Sequence, residues 1–367
     1  MSATPRLLGA LAALALGAAA PAQAEEAVLN FYNWSDYIAP DVITHFERET
    51  GIRVRRDTFD SSEILHAKLV AGRTGYDVVI SSTGWAAMQA KGGLLRPLDK
   101  ALLPNLKNLD PALTARAAQL DPGNRYAVTW LWGYTTVAIN VDQVRAALGD
   151  MPLPDNAWDL LFAPAYVSRL KRCGVSYLDS ASEVLPAALH YLGRPLDTNN
   201  PADYGAALAL LQAVRPSVTL FSSTGYVDDL SRGALCVAMG WSGDLHRAAQ
   251  RAAHEKTGQT LRTLLPKTGG VMFFDTMVIP ADAPHPENAH RFIDYILRPQ
   301  VHAALTNHLH YANPNAAARR FVEPAIGTDP TVYPSDAEIA RMSVQGAVNN
   351  DTCRLMARTF SRFKSGL

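Results

Sequence analysis

The sequence predicts an α/β protein of two lobes, on three observations. Short runs of β-forming residues alternate with helix-spaced segments from Val28 onward. The 367-residue chain is longer than one hydrophobic core normally serves. Two long β-rich runs, at 124–140 and 269–280, read as strands that leave one lobe and enter the other. A composition of 48% hydrophobic and 19% charged residues is ordinary globular material.

The elements follow in order. VLNFYNW (28–34) reads as a strand, and PDVITHFERET (40–50) as a helix with Pro40 near its start and Gly51 just past its end. IRVRRDTF (52–59) alternates like a strand, SSEILHAKLVAG (61–72) opens on serine caps with helical spacing behind them, and DVVISS (77–82) is a short β-rich run. This order implies a largely parallel sheet. NRYAVTWLWGYTTVAIN (124–140) is long for one strand, and Gly133 reads as a break in it. CGVSYLD (173–179), helices near 182–192 and 202–214, and LCVAMGW (235–241) supply a second alternating unit. GGVMFFDTMVIP (269–280) crosses back, the helix NAHRFIDYIL stops at Pro299, and the tail 335–364 reads as two helices.

Arg6, the apolar run 7–20 and the A-x-A pattern Ala22-Gln23-Ala24 mark residues 1–24 as a secretory signal. No later stretch approaches the roughly 20 apolar residues of a membrane span, so a soluble mature protein is expected. The first cysteine is Cys173, which argues against a lipid anchor at the cleavage site and for free diffusion in a bacterial periplasm, with outright secretion as the alternative. Basic and acidic residues balance at 34 each, and loss of Arg6 leaves the mature chain slightly acidic, without the basic excess that a nucleic-acid partner demands. Three cysteines in an exported chain allow one bridge and one leftover thiol. Cys173 and Cys236 sit in similar apolar settings suited to neighbouring strands and are paired here, leaving Cys353 as a thiol.

In a two-lobed α/β protein the C-terminal ends of strands line the crevice. Aromatic and acidic residues gather at such ends. Trp34, Ser35, Asp36 and Tyr37 follow the first strand; Ser81, Ser82 and Thr83 follow the third; Asp179 and Glu183 follow CGVSYL; Trp241 and Asp244 follow LCVAMG. Phe273, Phe274 and Asp275 interrupt the returning run, and Tyr311 lies in the turn HYANPN. Singly, each has a structural use: the acids and hydroxyls as helix caps, the tryptophan as core. Asp275 is the sharpest of them, since an acid between FF and TMVIP is costly to bury without a partner. Aromatic plus acid, repeated at three places, suits a cation. Catalytic patterns fail. GWSGD (240–244) brings its second glycine one position too early for G-x-S-x-G, and His302, His308 and His310 lack a metal-binding spacing. No Walker loop or G-x-G-x-x-G is present, so neither cofactor nor metal is expected.

From about Val28 to the terminal KSGL the chain resembles the periplasmic polyamine-binding proteins, the receptors of putrescine and spermidine ABC importers. The resemblance rests on FYNWSDYIAP, YDVVISS, RPLDK, WDLLF, CGVSYLD, CVAMGWSGD, FFDTMVIPADA, LRPQV and HYANPN, with the putrescine receptors of enteric bacteria and pseudomonads most similar. It implies a type II periplasmic-binding-protein fold with discontinuous lobes, here 25–134 with 276–307 and 135–275 with 308–367, and a monomer that delivers its ligand to an ABC permease. It implies an aromatic box of Trp34, Tyr37, Trp241, Phe273 and Tyr311, with Ser35, Asp36, Ser81, Glu183, Ser223, Asp244 and Asp275 as polar partners. The bridge from Cys173 to Cys236 is implied as well. Thr83, Ser180 and Gln345 are the expected specificity positions, Phe273 favouring putrescine and Gln345 favouring spermidine. The alternatives are a spermidine-preferring receptor, a polyamine sensor and, from another class, an exported hydrolase or amine-processing enzyme.

Overall fold

The computed structural model describes residues 25–367, so the expected signal segment 1–24 lies outside the described residues. Ten strands form one sheet: β1 (Val28–Trp34), β2 (Arg53–Phe59), β3 (Val78–Ser82), β4 (Ala127–Asn140), β5 (Val175–Tyr177), β6 (Leu220–Phe221), β7 (Val237–Trp241), β8 (Leu261–Leu264), β9 (Val271–Val278) and β10 (Ser343–Val344). The main order is β2-β1-β3-β9-β4-β7-β5-β6, with β8 beside β4 and β10 beside β9. Pairing is parallel among β2, β1 and β3 and among β7, β5 and β6, as the β-α-β order predicts. The two parallel units are joined by the antiparallel pair β4 and β9.

Local chemistry places the helices. Pro40–Thr50 begins on Pro at a position that needs no N–H donor and ends at Gly51, whose φ of 71° lets its N–H cap the Glu47 carbonyl at 2.9 Å. Ser61 accepts from the Ile64 N–H at 3.2 Å and starts Ser62–Ala71. Several helices lie beyond the sequence reading, Val141–Leu148 and Ser242–His254 among them. Thr83–Lys91 follows β3 at once, and Pro299–Leu309 begins directly after the predicted stop of Pro286–Ile296.

The sheet is packed on both faces. Leu29, Phe31, Ile80, Trp130, Met277 and Phe292 share one core, while Tyr32, Phe59, Tyr76, Val79 and Val278 pack on the opposite face. Around the other parallel unit, Val137, Ile139, Trp158, Tyr177, Leu185, Met239 and Phe363 form a further core. Trp132, Tyr134, Met272 and Phe274 pack with Ala312, Val332 and Met342 along the crossing strands.

Two expectations are corrected. Gly133 does not break its strand: β4 runs unbroken for 14 buried residues. A Cβ at Gly133 would lie 2.9 Å from Ser242 Oγ and 3.0 Å from both Phe273 Cζ and Tyr311 Cδ1, so this glycine marks a close approach. The tail is not two full helices. Asp336–Ile339 is a single turn, and Ser343–Val344 pairs with Val271–Met272 because Met342 and Val344 alternate onto the crossing-strand core. Asn350–Ser365 is the one long helix of the tail, capped by Asn349 on the Thr352 N–H at 2.8 Å.

Cys173 and Cys236 are bonded, with Cα atoms 5.4 Å apart, each just ahead of the paired residues Val175 and Val237. The bridge closes 63 residues of chain. By loop-closure entropy it contributes on the order of 4 kcal/mol. A Cys173→Ala/Cys236→Ala variant should lose about 2–4 kcal/mol in urea denaturation, with cleft ligand affinity unchanged because neither cysteine lines the cleft; unchanged stability would show that the bridge does not restrain the unfolded chain.

Candidate cation-binding cleft

A cleft of about 210 Å³ opens where the C-terminal ends of β1, β3 and β7 meet the middle of β9 and the start of helix Ala181–Tyr191. Its walls are aromatic. The Trp34 and Trp241 rings approach to 6.4 Å, Tyr37 meets Tyr311 edge-on at 5.3 Å and 89°, and Phe273 lies 6.2 Å from Tyr311. The Trp34 Nε1 is buried without a protein partner.

The first strand explains how FYNWSDYI builds one wall. Phe31 and Tyr32 are spent on opposite faces of the sheet, and the chain then turns at Asp36, whose φ of 52° belongs to the left-handed region that Asp and Asn tolerate best. Asn33 Nδ2 donates to the Tyr37 carbonyl at 2.9 Å and fixes the turn. Tyr37 is thereby folded back, and its hydroxyl donates to Asp275 Oδ2 at 2.9 Å.

Five carboxylates line the cleft with one guanidinium, Asp60 and Glu63 exposed and Glu183, Asp244 and Asp275 withdrawn from solvent. Burial pushes Asp275 up to about 7; the neighbouring Glu183 charge adds to this, and the Tyr37 hydrogen bond opposes it. Glu183 accepts from the Thr135 hydroxyl and is likewise pushed up to about 7 by desolvation, against the pull of hydrogen bonds from Thr135 and Trp241. Asp244 takes the Tyr311 hydroxyl on Oδ1 at 3.0 Å and the Tyr226 hydroxyl on Oδ2 at 3.1 Å, with Arg247 Nη1 at 3.5 Å. Desolvation raises its pKa, while Arg247 and the two tyrosines hold it down. The site therefore holds more acidic groups than basic ones between apolar walls, the complement of a cation with an apolar body. Among the described residues no cluster of three or more His, Cys, Asp or Glu is arranged to hold a metal.

Residues 41–334 match the family of bacterial extracellular solute-binding proteins. The chain belongs to this family. It is 45% identical over 343 residues to a putrescine-binding periplasmic protein of Pseudomonas aeruginosa, covering 94% of this chain and 93% of the relative. It is 42% identical to a putrescine-binding periplasmic protein of Escherichia coli, covering 98% and 96%. A solved structure from Listeria monocytogenes, assigned to a spermidine/putrescine ABC transporter, superposes with a TM-score of 0.82 at 32% identity over 92% of this chain and 99% of that one. The fold is the type II arrangement of periplasmic binding proteins.

This solute-binding protein gathers most of the sequence-predicted residues into its cleft: Trp34, Ser35, Tyr37, Glu183, Ser223, Trp241, Asp244, Phe273, Asp275 and Tyr311, together with Thr83, Ser180 and Gln345. Several hydroxyls there are already engaged. Thr83 Oγ1 donates to the Phe274 carbonyl at 2.7 Å, Ser223 Oγ accepts from the Asp179 N–H at 3.1 Å, and Ser35 Oγ donates to Asp60 Oδ1 at 2.9 Å. Two expected residues lie elsewhere. Ser81 is fully buried with its Oγ on Gln89 Oε1 at 3.0 Å, because alternation along β3 turns Ser82, its neighbour, to the cleft. Asp36 is exposed at the turn and is not a lining residue.

Sequence reading missed Asp60, Glu63, Tyr226 and Arg247. Asp60 directly follows β2, so the strand-end rule that found Asp36 applies to it equally, and Arg247 lies one helical turn from Asp244. Glu63 Oε1 accepts from Ser182 Oγ at 3.3 Å across the mouth; nothing local in sequence marks this contact.

Raised carboxylate values have a stability consequence. Between the ordinary carboxylate pKa and about 7 the folded ligand-free protein holds protons on Glu183 and Asp275 that the unfolded chain has released. Their contribution is fully present below the unfolded pKa and is lost as pH rises through about 7. The thermal midpoint should therefore fall from pH 6.5 to pH 8 more steeply in the wild type than in Asp275→Asn or Glu183→Gln; equal slopes would mean that the carboxyls titrate as exposed ones do.

Proposed function

We propose that this protein is a periplasmic receptor that captures a polyamine, putrescine first, between its two lobes and delivers it to an ABC permease. The observation that carries this reading is the aromatic cleft with Asp244 at one place and Asp275 and Glu183 at another, each held by a hydroxyl donor. A protonated diamine is an apolar rod with a charge at each end. Withdrawing four methylenes from water contributes about 3 kcal/mol, and each aromatic face near an ammonium adds on the order of 0.5 to 2 kcal/mol. The carboxylates mainly offset the desolvation of the ammonium groups.

Putrescine is preferred in this reading because the two relatives described above are putrescine-binding proteins. Gln345, which lines the cleft, offers an amide to a third amine, which keeps spermidine as the second ligand. The segments 25–134 with 276–307 and 135–275 with 308–367 act as lobes that hinge where β4 and β9 cross. The mature protein is soluble, its signal segment removed, and works as a monomer. Relatives named for the periplasm support that placement.

Calorimetry on the mature protein, unfolded and refolded to strip carried-over ligand, tests this against putrescine, cadaverine, spermidine and spermine. Micromolar or tighter binding of putrescine is expected, with spermidine at least about tenfold weaker; silence from all four amines would overturn the reading. Asp244→Ala or Asp275→Ala should weaken putrescine at least tenfold, the cost of leaving an ammonium buried opposite no charge being roughly 3 to 5 kcal/mol. Near-normal affinity in both variants would remove the carboxylates from the site.

A further inference from the structure

GWSGD (240–244) fails as a nucleophile elbow, yet both of its glycines are placed against the cleft's tyrosines. A Cβ on Gly243 would stand 2.4 Å from Cδ2 and Cε2 of Tyr311 and 2.6 Å from its Cγ. A Cβ on Gly240 would stand 2.6 Å from Tyr226 Cε2 and 3.0 Å from its hydroxyl, with Leu245 Cδ2 at 2.8 Å. Carbon atoms in ordinary contact sit about 3.5 to 4.0 Å apart, so neither ring keeps its place beside a methyl group. Both glycines are buried, and neither has a positive φ, so what they supply is room.

The two rings seated this way are the two that bind Asp244, Tyr311 on Oδ1 and Tyr226 on Oδ2. Neither has slack elsewhere. Tyr226 is fully buried and its hydroxyl also accepts from the Trp241 N–H at 3.4 Å; Tyr311 is 3% exposed, wedged between Tyr37 and Phe273, and touches the bare face of Gly133 from its other neighbour strand. The motif thus puts two cleft-lining residues, Trp241 and Asp244, beside two seats and a serine whose Oγ accepts from the Tyr134 N–H at 3.4 Å.

We propose that Gly240 and Gly243 are positioning residues that seat Tyr226 and Tyr311 on the two oxygens of Asp244, so that the carboxylate is aimed before a cation arrives. This rests on the polyamine reading of the cleft. Both oxygens are tied by tyrosine hydroxyls, Arg247 Nη1 pairs with Oδ1 at 3.5 Å, and Asp244 so held lines the cleft.

The test is a cycle of Gly243→Ala, Tyr311→Ala and the double variant, with putrescine titration and thermal melting on each. Wild-type binding of putrescine is the control: its absence would fail the polyamine reading and leave these glycines without a ligand to serve. Given wild-type binding, Gly243→Ala should weaken putrescine by about tenfold or more, the scale of one hydrogen bond to a charged group. Tyr311→Ala, which also removes a wall aromatic, should weaken it at least as much, and the double variant no further than Tyr311→Ala alone. The melting temperature lost in Gly243→Ala should return in the double variant to that of Tyr311→Ala, since the clash is gone; this holds even if the single glycine variant is too unstable to titrate. Wild-type affinity in Gly243→Ala, additive losses in the double variant, or no recovery of its melting temperature would each overturn the proposal.

Discussion

Everything in this molecule hangs on the antiparallel pairing of β4 with β9. Those strands are the hydrogen-bonded connection between the two parallel units, and their register sets Asp275 opposite Leu131, Phe273 opposite Gly133 and Val271 opposite Thr135. Because side chains alternate, the fully buried Phe274 serves the crossing-strand core while Phe273 and Asp275 on either side of it face the tyrosines of the cleft. A slip of one residue would exchange these sets, driving an acid into the core and a phenylalanine out of it. The cost of that exchange fixes the register, and the register fixes where the cleft has its charge.

That charge is the second constraint. Glu183, Asp244 and Asp275 lose water to aromatic walls, and only Asp244 has a cation, Arg247, at hand. A buried carboxylate short of partners takes up a proton instead of ionising. With Glu183 and Asp275 both titrating near 7, the ligand-free cleft sits at the balance between holding protons and holding negative charge. Under the polyamine reading, an incoming dication would tip the balance by supplying the missing partners, to a site that is unfavourable when ionised and empty but well paired when filled.

The fold was readable because it is repetitive. Alternating strands and capped helices are local patterns, and they placed the first three strands, the helices Pro40–Thr50 and Ser62–Ala71, and both crossing runs. The misread parts are those where tertiary contacts override the local pattern. Gly133 looks like a break until three side chains are seen against it, and Met342 to Val344 look like continuing helix until β9 supplies a strand partner. The site divides the same way. Residues at strand ends, such as Trp34 and Trp241, are marked by position, and Asp275 by its charge inside an apolar strand; Tyr226 is marked by nothing nearby, because its value lies in a hydroxyl that reaches Asp244 from a different helix. Ser81 failed through parity, since one step along β3 exchanges cleft for core.

Under the receptor role, closure follows from where the contacts originate. Trp34 and Tyr37 come from the end of β1, Trp241 and Asp244 from β7 and the helix after it, and Asp275 from a strand that belongs to both sides. A ligand that touches residues from one side only has the same affinity for open and closed forms, and shifts nothing however tightly it binds. A diamine whose two ends are read from opposite sides has its full set of contacts only when the sides meet, as they do here where the two tryptophans approach and Ser182 reaches Glu63. The differential affinity that drives closure is therefore the sum of the contacts made across the cleft. Shortening the ligand costs more than the methylenes removed, because an ammonium that no longer reaches its carboxylate leaves one side with no stake in the closed form.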